Sequence, residues 1–180
     1  MFIEYRGKSP KVDPSAFVAP TAVLIGDVQV GPESSIWFGA VLRADNGPIR
    51  VGARTSIQDN AVIHVGDRKL TRIGNDVTIG HCAVMEDCDI KDKALIGSNA
   101  VLLNGSVIGE GALVAAGSVV GQDVVIPPRV LAAGAPATVK KALDGQAAKW
   151  VDISSHEYVE LSRSYLNENI GGSAYQETFN

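Results

Sequence analysis

The stretch IGSNAVLLNGSVIGEGALVAAGSVVGQDVVI, Ile96 to Ile126, decides the fold. An aliphatic residue returns at every sixth place: Ile96, Leu102, Ile108, Val114, Val120 and Ile126. The series extends backwards through one five-residue step to Ile90, then Met85, Ile79 and Ile73. Before an insertion come Ile63, Ile57 and Val51, and before a shorter one Leu42, Ile36, Val30, Leu24 and Val18. An α-helix repeats every 3.6 residues and cannot hold a period of six over this many cycles. A strand alternates its faces, so an anchor and the residue two places before it enter one core. Those preceding places hold small or branched residues: Val28, Ser34, Ala40, Thr55, Ala61, Ala83, Ala94, Ala100, Ala112 and Ser118. Glycine follows many anchors (Gly31, Gly52, Gly74, Gly80, Gly97, Gly109, Gly121) and is expected to supply the positive φ of a sharp turn. Six residues per side and three sides per coil make a triangular prism. Its coils stack at the strand spacing of about 4.8 Å around a continuous apolar column. The fold class is all-β, a parallel β-helix.

The period ends near IPPRVLAAGAPATVKK. Beyond it Val151, Tyr158, Leu161 and Tyr165 fall on one stripe at helical spacing. The expected division is residues 1–136 as the β-helix domain and 137–180 as a C-terminal helix and tail packing on it. The final GGSAYQETFN reads as an extension of that helix, ordered or frayed.

A length of 180 residues, 46% hydrophobic and 20% charged, is that of one folded domain. No apolar run approaches the roughly 18–20 residues of a membrane span. MFIEYRGKSPKVDP lacks the apolar core of a signal peptide, so a cytoplasmic location and no membrane partner are expected. The net charge of −4, without a basic cluster, argues against nucleic acid as a partner. Cys82 and Cys88 have neither a disulfide framework nor paired zinc spacing and are expected to be small buried fillers.

The chain has three histidines, His64, His81 and His156. His64 directly follows anchor Ile63, and Glu86 directly follows anchor Met85. Once VGDRKL is set aside as a loop, Ile63 and Met85 lie one full coil apart. His64 and Glu86 then stack in one column about 4.8 Å apart, a separation that suits two ligands of one metal ion. His81 falls at a different corner, from which it reaches that column only on a neighbouring chain. Three prisms around a threefold axis would provide this by one repeated interface. His156 reads as an exposed or capping residue of the helix.

IGDVQVGPESSIWFGAVLRAD, RTSIQDNAVIH, IGNDVTIGHCA, and VAAGSVV through IPPRVLAAGAPA resemble the γ-class carbonic anhydrase family of hexapeptide-repeat proteins over nearly the whole chain. The hand of the helix comes from this resemblance, which implies a left-handed parallel β-helix. It also implies a homotrimer that binds zinc or ferrous iron between subunits and reversibly hydrates carbon dioxide to bicarbonate. His64 and His81 match two of the three metal-binding histidines; the third position holds Glu86. Two histidines and one glutamate are an established catalytic zinc set and also suit ferrous iron. The extra negative charge leaves the metal a poorer Lewis acid, so weak activity is expected. The same resemblance assigns Arg43 and Asp45 to the pair that bridges subunits and Asp59 to their partner across the interface. It gives Gln58 a catalytic hydrogen-bonding role and places Tyr158 in the pocket. Ser56 stands where many members have asparagine, and the long acidic loop with its proton-shuttling glutamate has no counterpart. No organic cofactor is implied. The alternatives are a hexapeptide acyltransferase or thioesterase acting on acyl-CoA, and a non-enzymatic trimeric metal-binding protein. Acyltransferases of this type often carry a longer excursion loop than either insertion here.

Overall fold

The computed structural model describes residues 1–67 and 70–172. It is a left-handed parallel β-helix of about seven turns carrying one C-terminal helix. Most strands are two or three residues long, as a six-residue side allows. One face stacks Phe17–Val18, Ser35–Ile36, Ser56–Ile57, Thr78–Ile79, Leu95–Ile96, Leu113–Val114 and Val130–Gly134. The other two faces are joined by Val23–Val30 and Val41–Val51, which run round a corner unbroken. The second face continues from there through Val62–His64, Val84–Glu86, Val101–Leu102 and Val119–Val120. The third continues through Thr71–Ile73, Asp89–Ile90, Val107–Ile108 and Val125–Ile126.

Every anchor of the six-residue series is buried, and so are the ten small or branched residues named two places before an anchor. Leu24, Ile36, Leu42, Ile57, Ile63, Ile73, Ile79, Met85, Ile90 and Ile96 are among the largest fully buried side chains. Each such side chain contributes about 1.5–3 kcal/mol by leaving water. The small inward hydroxyls are used as well. Ser34 Oγ donates to the Gly52 carbonyl at 2.6 Å, and Thr55 Oγ1 to that of Gly74 at 2.7 Å.

Three expectations are corrected. The glycines after the anchors are not in the left-handed region. All but Gly121 are needed for space: a Cβ at Gly52 would sit 2.5 Å from the Gly74 carbonyl oxygen and one at Gly97 2.4 Å from Ala116 N. Positive φ falls instead on the second residue of most corners, mostly not glycine: Asn60 (58°), Cys82 (58°), Asp87 (46°) and Asn99 (57°) among them. Cys82, placed at such a corner, is exposed and not a buried filler. Cys88 is buried as expected, and burial pushes its thiol up to about 12.

The third correction concerns the helix, Gly145–Asn167. Its packed side holds Val151, Ser154, Ser155, Val159 and Ser162, with Tyr158 and Tyr165 partly buried against the core; Leu161 is 44% exposed and lies off that stripe. Serines bring the helix close to the prism, and Ser154 Oγ lies 2.9 Å from Thr78 Oγ1. Between coil and helix, Ala137–Ala142 returns antiparallel along Val130–Gly134. Of the final extension, residues 173–180 lie outside the described residues. Among the described residues no helix is long and apolar enough to cross a membrane.

Candidate metal centre

Strand register places the polar residues of the second face. Arg43 pairs with His64 and His64 with Glu86, so the three stack in one column at the edge where that face ends. His64 Nδ1 lies 3.0 Å from Glu86 Oε1, and His64 Nε2 lies 2.9 Å from Asp45 Oδ1. Asp45 Oδ2 also accepts a short hydrogen bond from Arg43 Nη1. Burial works to raise the Asp45 carboxyl, but the His64 hydrogen bond and the Arg43 guanidinium outweigh it and hold the group below its usual range. Two carboxylates on one imidazole make a position where a cation can stand in for a proton.

His81 belongs to the corner where the second face begins. There it stacks over Asp59, and its Nδ1 lies 2.8 Å from Asp59 Oδ2. A carboxylate on one ring nitrogen is the usual way a ligand histidine is oriented, and Asp59 engages Nδ1 and not Nε2. His81 is about half exposed. The turn at Cys82 and strand Val84–Glu86 separate it from Glu86, roughly 10 Å or more of chain. One ion in a single chain cannot bridge that span. Among the described residues of one chain, no three histidine, cysteine, aspartate or glutamate side chains are placed to hold a metal.

The structure brings His64, Glu86, Arg43 and Asp45 together at one edge of the face, and His81 with Asp59 at the other. Gln58 is buried directly below that second corner, its N–H donating to the Ile79 carbonyl at 3.0 Å. Tyr158 packs edge-on against Trp37 with ring centroids 5.6 Å apart. Burial first, then the nearby Asp59 and Glu157 carboxylates, raises its phenol above the ordinary value. Ser56 accepts a hydrogen bond from Trp37 Nε1 at 3.0 Å, so it anchors the aromatic layer. His156 is exposed on the helix, as read. Two contacts were missed by sequence reasoning: that of Asp45 with His64, and that of Trp37 with Ser56. The first was legible in principle, because Asp45 stands two residues beyond Arg43, the register partner of His64.

Between the two edges the outward residues are Val23, Val41, Val62, Val84, Val101 and Val119, stacked in register. Val62 and Val84 are 38% and 43% exposed. The helix covers a different face, lying against Phe17–Val18, Ser35–Ile36 and Ser56–Ile57.

A carbonic anhydrase of Geobacillus kaustophilus is 38% identical, covering 92% of this chain and 91% of its own. The chain belongs to the γ-carbonic anhydrase family. Gamma carbonic anhydrase 2, mitochondrial, of Arabidopsis thaliana is 43% identical over 168 residues, 90% of this chain; the chain spans 60% of that relative's length. Among solved structures, a hexapeptide transferase family protein from Anaplasma phagocytophilum superposes with a TM-score of 0.88 at 38% identity, covering 92% of this chain and 98% of its own. Residues 45–151 also match the family model of the GMPPB C-terminal domain, so the repeat region belongs to that family too. The likeness to a carbonic anhydrase and the likeness to a transferase-family protein both run over nearly the whole chain.

The donor set fits the divalent ion that γ-carbonic anhydrases imply. Metal bonds of about 2.0–2.2 Å at tetrahedral angles put neighbouring donors roughly 3.4 Å apart, and His64 Nδ1 and Glu86 Oε1, at 3.0 Å, need only a small shift to reach that. His81 has a ring oriented by Asp59 and a half-exposed side chain.

Proposed function

We propose that the chain is one subunit of a homotrimeric, γ-carbonic anhydrase-like metalloprotein acting on carbon dioxide and bicarbonate. His64 and Glu86 of one subunit and His81 of the next would hold zinc or ferrous iron. One observation carries this reading: a donor pair and an oriented third donor stand at opposite edges of an apolar valine face on which Val62 and Val84 are exposed. A threefold arrangement buries such a face and brings opposite edges together.

The bound ion would supply Lewis-acid activation of water. The chain's residues do the rest. Asp45 and Asp59 hold the two imidazoles in place. Gln58 offers a side-chain amide to orient the reacting oxygen, and Tyr158, held by Trp37, walls the pocket toward the helix. Arg43 and Asp45 also lie at the edge that meets the next subunit. Glu86 supports a second form of the reading, in which the ion is held firmly while hydration is weak, since a carboxylate lowers the charge felt by bound water.

The test is complementation. His64→Ala chains and His81→Ala chains each lack every complete site, but a mixed trimer contains one site with both histidines. Metal per chain and carbon dioxide hydration are measured for each variant and for the refolded mixture. Recovery in the mixture is the expected result. No recovery, with mixed trimers present, would rule out a shared site.

A further inference from the structure

We propose that Gly66 is the positioning residue for Glu86, seating its carboxylate against His64; the proposal rests on the reading of Glu86 as a ligand. Leaving His64, the chain lies against the next coil at Gly66. Val65 is fully buried, Gly66 is buried, and Thr71 Oγ1 donates to the His64 carbonyl at 2.7 Å where the chain returns to the third face. Gly66 N–H donates to Asp87 Oδ1 at 2.9 Å, which fixes the loop on the corner next to Glu86. A Cβ built on Gly66 would lie 2.4 Å from Glu86 Oε1, 3.2 Å from its Cδ and 2.9 Å from Asp87 Oδ2.

The oxygen that meets Gly66 is the one 3.0 Å from His64 Nδ1. Oε1 is therefore held between an imidazole nitrogen and a bare α-carbon, with no room for a methyl group. Gly66 is not in the left-handed region, so its glycine is required by this contact and not by backbone conformation. What a side chain would displace is the far end of a flexible glutamate. The expected consequence is a carboxylate moved off His64, with the coil intact. Residue 66 thereby sets whether an oxygen donor can serve at position 86.

The experiment compares wild type, Gly66→Ala, Glu86→Gln and the double variant. The first readout is the ¹⁵N resonances of the His64 ring in chelator-treated protein. The second is Zn²⁺ affinity by competition with a chelating dye. Gly66→Ala is expected to move the His64 Nδ1 resonance in the direction that Glu86→Gln does, with little further change in the double variant. Zn²⁺ binding should weaken roughly 10–100-fold, as for other positioning partners of metal ligands. A His64 spectrum unchanged by Gly66→Ala but moved by Glu86→Gln would overturn the proposal. Absence of Zn²⁺ binding by wild type would instead remove the metal reading, and the metal-free spectra would still decide the role of Gly66. If Gly66→Ala does not fold, Gly66→Ala/Glu86→Ala removes the 2.4 Å overlap and should fold; failure of both variants would also overturn the proposal.

Discussion

At the scale of the residue, Glu86 separates this chain from the pattern it otherwise follows. Its carboxylate pairs with His64 in the register predicted for it, one coil apart. Replacing it tests the chemistry directly. Glu86→His restores three neutral imidazoles and is expected to raise carbon dioxide hydration, measured by stopped flow with a pH indicator, because the ion regains Lewis acidity. Glu86→Ala should instead lower metal content, measured by elemental analysis of protein purified without chelators. An unchanged metal content in Glu86→Ala would mean that Glu86 is not a ligand. Glycine shows the same residue-scale logic in the scaffold. Gly97→Ala forces a methyl 2.4 Å from Ala116 N and should cost about 3 kcal/mol, the upper end for overpacking. Gly117 has φ 68° with open space around its α-carbon, so Gly117→Ala should cost only about 1 kcal/mol. Urea denaturation measures both, and the reverse order would contradict the account of the corners.

At the scale of the element, the N-terminal segment is tied to the coil by charge. Asp27 accepts from Lys8 Nζ at 2.8 Å and also faces Arg50 Nη2 at 2.8 Å. The Lys8 hydrogen bond outweighs partial burial, and with Arg50 it holds the Asp27 carboxyl below its ordinary value. A depressed carboxyl stabilises the fold above its unfolded pKa, and that stability is lost as pH falls through the folded value. The melting temperature of wild type should therefore exceed that of Asp27→Asn near neutrality, and the gap should close below about pH 4. A gap independent of pH would place the effect elsewhere. The helix was legible as an element, but its packed side was not. Hydropathy chose Leu161, whereas the prism accepted Ser154, Ser155 and Ser162, because small side chains let a helix approach a flat sheet closely.

At the scale of the whole molecule, the valine face is the feature with most consequence. Six valines in register leave an apolar strip between the two halves of the candidate site. If the homotrimer proposed above forms through this face, Val84→Glu places a charge in its middle and is expected to give monomers by light scattering, with lower metal content than wild type and an unchanged far-ultraviolet dichroism spectrum. A Val84→Glu protein that remained trimeric would move the interface to another face.

What the sequence by itself determined is the coil: its period, its buried column and the register that stacks His64 on Glu86. These follow from a repeat whose inward residues must alternate and whose strands must pair. Tertiary structure alone decided the rest. Gly66 meets Glu86 because the chain leaving His64 lies against the next coil, and Trp37 meets Ser56 and Tyr158 because a coil and a distant helix converge. Such contacts depend on where segments far apart in the chain come to lie, and no periodicity encodes that.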